Sequence, residues 1–127
     1  LGLSLLVVTH DLGVAWNIAD RIAVMYLGRI VEQGPTEEVL SAPKHPYTQA
    51  LLSVVPEIDH VAPIVLTGEP PDPTAIPPGC RFHPRCPALR DGAAQAVAGD
   101  CRGTALPVLS GTGDHEAACW LTGGVTA

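Results

Sequence analysis

Short apolar blocks alternate with polar turns over the first 55 residues, and the pattern then stops. Leu3 to Thr9 is rich in Leu and Val, unbroken from Leu5 to Val8, as expected of a strand buried on both faces. Leu12 to Ala19 puts Val14, Trp16 and Ile18 on one helical face, with Asp11 placed to cap its start. Arg21 to Tyr26 reads as a second strand, Leu27-Gly28 as a turn, and Arg29 to Gln33 as the returning strand of a hairpin. Gly34-Pro35-Thr36 opens a short helix from Glu37 to Ala42, whose two leading carboxylates suit the helix dipole. Pro46 suits the first turn of another helix running to Val54.

Beyond Pro56 the periodicity dissolves, and nine of the 13 prolines lie between Pro56 and Pro87. GEPPDPTAIPPG, Gly68 to Gly79, can form neither a helix nor a good strand and reads as an extended arm. From Cys80 on, large apolar residues are few, among them Phe82, Leu89, Leu106, Val108, Leu109, Trp120 and Leu121. That is too little for a free-standing core, so the segment is expected to need a staple. All four cysteines of the chain, Cys80, Cys86, Cys101 and Cys119, lie in this tail. The organisation expected is therefore 1–55 as a compact α/β part, 56–79 as a Pro-rich linker, and 80–127 as a loop-rich four-Cys tail.

Composition narrows the function classes. The chain of 127 residues carries 7 Lys and Arg against 13 Asp and Glu, a net charge of −6. With no dense basic run, nucleic-acid binding has little electrostatic support. Leu5 to Val8 is far too short to cross a bilayer, so any membrane link is expected to run through a partner. The chain begins at Leu1 and reads as a portion of a longer protein.

The first strand ends in Thr9, His10 and Asp11. Ligands of open α/β sheets sit beyond the carboxyl ends of strands, where an imidazole can donate to a phosphate oxygen or orient a water. A polar strand-to-helix turn, with Asp11 only capping, is the plainer reading of these three residues. The flanking sequence changes the balance. LLVVTHD, Asp20-Arg21-Ile22, the block Met25 to Gly34 and the Glu37 to Leu40 helix resemble, in order, the C-terminal part of the ATP-binding subunit of ABC transporters. HPYTQALLSVVP, His45 to Pro56, and PPGCRFHPRCP, Pro77 to Pro87, resemble the dipeptide/oligopeptide (and nickel) importer branch. The resemblance implies a P-loop NTPase fold, with His10 as the switch histidine that reaches the γ-phosphate of ATP-Mg²⁺. It also implies a second ATP-binding subunit, transmembrane permease subunits, an extracytoplasmic binding protein reached indirectly, and a peripheral place on the cytoplasmic face of the membrane. No G-x-x-x-x-G-K-S/T, no L-S-G-G-Q and no strand ending in Asp-Glu is present, so this stretch alone is not expected to hydrolyse ATP.

The cysteine spacing C-x5-C-x14-C-x17-C leaves three readings open. Two disulfides require an oxidising compartment. A four-thiolate zinc site would staple the tail, though the usual C-x2-C pairs are missing. A [4Fe–4S] cluster takes four thiolates at looser spacing, and resemblance to the peptide-importer branch favours it, with Zn²⁺ as the alternative. Leu89 to Gly99 reads as an insertion able to loop out without moving Cys101. His115 is a spare ligand, better read as a structural hydrogen-bonder, and His83 is read as structural. Arg81, Arg85, Arg90 and Arg102 are placed in sequence to offset thiolate charge. Trp16 is read as core, His45 as the residue that opens a helix, and His60 as part of the linker. The rival class is a non-enzymatic metal-binding or redox-sensing module built on an ATPase remnant.

Overall fold

The computed structural model describes residues 2–55, 63–68, 72–103 and 107–122. Asp11 caps α1 (Leu12–Ile18), its carboxylate accepting from the N–H groups of Gly13 and Val14 at 2.9 and 3.3 Å. Two of the helix's orphan donors are thereby satisfied, as the sequence predicts. The apolar face is another matter. Val14, Trp16 and Ile18 are 41%, 47% and 59% exposed, and no residue of α1 is buried, so Trp16 is not a core residue among the described residues.

The hairpin forms as expected, β1 (Arg21–Tyr26) against β2 (Arg29–Pro35), antiparallel, with a register shift at Val24/Met25. Its two-residue turn has φ of +48° at Leu27 and +74° at Gly28. Two successive left-handed residues match the twist of the flanking strands. Thr36 closes the open end, its N–H donating to the Asp20 carbonyl at 3.0 Å and its hydroxyl to the Ala19 carbonyl at 2.7 Å. Then come α2 (Thr36–Ser41) and α3 (Pro46–Leu52), the latter two residues shorter than expected.

The strand expected over Leu3 to Thr9 is not formed. Leu3, Leu5, Leu6 and Val8 are 85% to 94% exposed. A strand is made by a neighbour that takes up its N–H and C=O groups. Among the described residues none pairs with this segment, so the structure is a mixed helix-and-sheet fold whose one sheet is antiparallel.

That sheet is completed by the tail. In β4 (His115–Ala117), Ala117 pairs with Glu32 and Glu116 with Gln33 of β2, and β3 (Ser110–Thr112) pairs outside β4, giving the order β1-β2-β4-β3. The Ala118 N–H extends the contact to the Val31 carbonyl at 2.7 Å. Phe82, 1% exposed, packs edge-on against Tyr26 with ring centroids 5.2 Å apart, and against Tyr47 at 5.3 Å. Val24, Tyr26, Val31, Val39, Cys80, Phe82 and Cys101 form one buried cluster. The tail's shortage of apolar residues is thus offset by borrowing the hairpin's core.

Between these parts lies Glu32, fully buried. Its carboxylate accepts from the Lys44 N–H at 2.9 Å, the His45 N–H at 2.8 Å and His115 Nε2 at 2.5 Å. One side chain of β2 therefore ties the start of α3 to β4. Glu32→Gln keeps the shape but turns an N–H₂ toward a backbone N–H, that of Lys44 or of His45 according to the oxygen it replaces. We expect it to destabilise the fold by about 3 kcal/mol, the scale of stranding buried donors, read as a lowered chemical-denaturation midpoint.

Candidate functional site

The four cysteines come from four separate pieces of the tail. Cys80 follows the turn at Gly79, Cys86 ends a 3-10 turn (His83–Arg85), Cys101 sits in α5 (Ala98–Arg102), and Cys119 follows β4. Cys80 is joined to Cys101 through backbone, its N–H donating to the Cys101 carbonyl at 3.0 Å. Only glycine fits just before it. Gly79 has φ +69°, and a β-carbon there would lie 2.6 Å from the carbonyl oxygens of both Cys101 and Gly103.

All four thiols line one small apolar cavity, together with Phe82, Ala94, Leu121 and His45. Its volume is about 10 Å³, on the scale of a single water. None of the four is in a disulfide; Cys80, Cys101 and Cys119 are buried and Cys86 is half-buried. Among the described residues, no three of the His, Cys, Asp and Glu side chains are grouped tightly enough to hold a single metal ion. The thiols thus surround a common space without converging on one point.

The electrostatics follow from burial. Burial pushes the Cys80 thiol up to about 11, with Cys119 and Cys86 adding to the rise, while the Phe82 N–H and the Arg29 guanidinium act against it. Burial also pushes Cys101 up to about 12, with the other three cysteines adding to it. Cys86 and Cys119 are raised by burial as well, against backbone N–H groups of Leu89 and Ala88 for the first, and of Leu121 and Thr122 for the second. At neutral pH these are protonated, unreactive thiols. The N–H groups directed at Cys80, Cys86 and Cys119 are nonetheless arranged to favour sulfur once it is deprotonated, which is what a ligand must be.

Other expectations divide. Leu89 to Gly99 does not loop out: Ala94 and Ala98 are 2% and 5% exposed, Ala94 walls the cavity, and the stretch runs through α4 (Pro87–Arg90) into α5. Small side chains let this backbone lie flat on the core. His115 is held by Glu32, as its structural reading predicts, and His83 bonds through Nδ1 to the Cys80 carbonyl at 2.8 Å. Arg81 instead donates to the Leu27 carbonyl at 2.7 Å, clasping the hairpin turn, and Arg90 reaches Asp91 and the Val65 carbonyl from the surface. Arg102 is exposed, Arg85 is half-buried, and His60 lies outside the described residues. The cation that acts on Cys80 is Arg29 of β2, distant in sequence and so without a local signal.

His10 is exposed, immediately before the cap of α1. His45 does open α3, its Nδ1 accepting the Tyr47 N–H at 3.0 Å. It is also 1% exposed and part of the cysteine cavity wall, a placement that its sequence neighbours do not signal. Burial, helped by the Arg29 charge, lowers its pKa from 6.5 to about 4. An unfolded chain therefore takes up this proton below pH 6.5, while the folded chain does so only near pH 4. The stability held above pH 6.5 should fall by about 3 kcal/mol as the pH drops through that window. Denaturation midpoints measured across it should slope less in His45→Asn than in the parent.

Comparison with known proteins places this architecture. The oligopeptide/dipeptide transporter C-terminal region matches residues 31–92. A dipeptide transport ATP-binding protein of Haemophilus influenzae is 52% identical over 89 residues, covering 68% of this chain and 27% of that protein. Its Escherichia coli counterpart is 46% identical over 112 residues, 77% of this chain and 34% of that protein. An oligopeptide transport ATP-binding protein of Bacillus subtilis is 46% identical over 90 residues, 69% of this chain and 27% of that protein. The chain spans between about a quarter and a third of the length of these curated relatives. It belongs to the family of ATP-binding subunits of dipeptide and oligopeptide ABC transporters, and carries a C-terminal part of such a subunit.

Proposed function

We propose that this chain is part of an ATP-hydrolysing subunit that energises import of dipeptides or oligopeptides, working with a second ATP-binding subunit and with transmembrane permease subunits at the cytoplasmic face of the membrane. The observation that carries this reading is the match of residues 31–92, from within β2 to just past the second cysteine, to the peptide-transporter C-terminal region. In this reading 1–55 is the ATPase part, 56–79 the arm and 80–127 the tail. The exposed apolar residues of the 3–9 segment and of α1 agree with it, since in a subunit of full length they would be covered by the rest of the ATPase sheet. That sheet would present His10 at a strand end. His10 is then the group that donates to the γ-phosphate of ATP-Mg²⁺ and steadies the attacking water, one contributor to a reaction dominated by positioning and charge.

For the tail we propose that Cys80, Cys86, Cys101 and Cys119 hold a [4Fe–4S] cluster. What supports this reading is the donor set: four sulfurs on one apolar cavity, with backbone N–H groups directed at three of them. The loose cysteine spacing, without C-x2-C pairs, favours a [4Fe–4S] cluster over a single Zn²⁺. The cluster is larger than the cavity, so loading has to part its walls. When bound, it would supply a redox-active charge and a cross-link among four chain segments. The protein's own part is to exclude water with Phe82 and Ala94, and to supply N–H donors to the sulfurs.

Two experiments test these readings. His10→Ala in the complete subunit should lower ATP turnover at least tenfold, on the scale of losing one positioned catalytic group, while ATP binding is nearly retained; unchanged turnover removes His10 from the reaction. For the tail, anaerobically purified protein should contain near-stoichiometric iron and acid-labile sulfide, and Cys80→Ser with Cys86→Ser should abolish both and lower Tm. Zinc without sulfide would make the tail a structural clip.

A further inference from the structure

His10 stands between two local closures of the backbone. On its amino side the hydroxyl of Thr9 accepts the Asp11 N–H, Oγ1 to N at 3.0 Å, which closes a ring with the His10 Cα inside it. On its carboxyl side the Asp11 carboxylate accepts from the Gly13 and Val14 N–H groups and fixes the first turn of α1. That second closure is tightly built, since a β-carbon on Gly13 would lie 3.2 Å from Asp11 Oδ1. The first closure is not part of the helix cap. A Val would continue Leu5 to Val8 equally well, and Thr9 is exposed, so packing among the described residues does not call for it. What its hydroxyl does is join residue 9 to residue 11 across His10. Threonine suits this, because β-branching leaves the oxygen few χ1 wells. The bond is confined to three successive residues, so it does not depend on which strand pairs with Leu3 to Val8.

We infer that Thr9 is a positioning residue for His10: its hydroxyl, by holding the Asp11 N–H, sets the direction in which the imidazole leaves the backbone. This rests on the reading of His10 above and adds a residue which that reading leaves unused. His10 is exposed, so the aim of its ring comes from the direction of its Cα–Cβ bond and not from a packed pocket. Aim matters because a group displaced by about 1 Å loses up to about a hundredfold in rate. Thr9 acts only through the backbone of His10 and Asp11 and touches neither nucleotide nor water. Its loss therefore falls on turnover and leaves ATP binding in place.

The test is a double-substitution cycle in the complete subunit: parent, Thr9→Val, His10→Ala and the two together, each read for kcat and for the KM of ATP. Thr9→Val keeps the shape and removes the acceptor. It should lower kcat about fivefold, the rate equivalent of one intramolecular hydrogen bond, with KM unchanged. Thr9→Ser, which keeps the hydroxyl, should restore kcat. In the His10→Ala background Thr9→Val should cost nothing further, because the group it aims is gone. If His10→Ala leaves turnover at the parent level, the reading of His10 fails and this inference falls with it. If His10→Ala lowers turnover but Thr9→Val does not, or costs the same with and without His10, the role of Thr9 is overturned and the reading of His10 stands. Should Thr9→Val not accumulate, Thr9→Ala takes its place in the cycle under the same criteria.

Discussion

The carboxylate of Glu32 is the contact through which the parts of this structure meet. It is buried on a strand otherwise laid down by hairpin pairing, where a lone carboxylate would cost several kcal/mol. Its oxygens are met by the N–H groups of Lys44 and His45 and by His115 Nε2, donors from two other elements. Lys44 adds a second tie, its Nζ donating to the His115 carbonyl at 2.9 Å. The requirement that Glu32 be fully satisfied thus sets the start of α3 and the seating of β4 together. It also sets the ring of His45, since the same residue that donates to Glu32 opens the helix.

The tail is held by the hairpin more than by itself. Phe82 enters a cluster built by Tyr26 and Tyr47, Arg81 clasps the Leu27 carbonyl, and Arg29 reaches across to the Pro107 carbonyl. The four cysteines are consequently brought to one cavity by a scaffold that does not depend on their being linked. This separates two roles that the sequence runs together: docking comes from apolar and polar contacts with β1 and β2, while the thiols are left as a donor set. Burial holds the Cys80 and Cys101 thiols protonated at neutral pH, which keeps them inert.

Local chemistry was legible where it acts over a few residues. Asp11 caps α1, Leu27-Gly28 makes the hairpin turn, and Pro46 opens α3, because capping and turn geometry are decided within one or two peptide units. The clustering of the cysteines in the tail was also legible, as was the structural place of His115. What misled was apolar content without a partner. Leu3 to Val8 has the composition of a buried strand and no strand beside it among the described residues. The Ala-rich stretch 89–99 looks expendable and instead packs, with Ala94 on the cavity wall.

By itself, then, the sequence determined where turns and helix starts fall, which residues can ligate, and the family to which the chain belongs. It did not determine that Glu32 meets His115 across 83 positions, that Arg29 acts on Cys80, or that His45 lines one cavity with four cysteines. These depend on which strands pair and in what register, and pairing is settled by burial and hydrogen-bond satisfaction summed over distant segments. A histidine that opens a helix reads the same whether its ring lies in water or is buried against a cysteine cavity. Only the docking of the tail on the hairpin decides which.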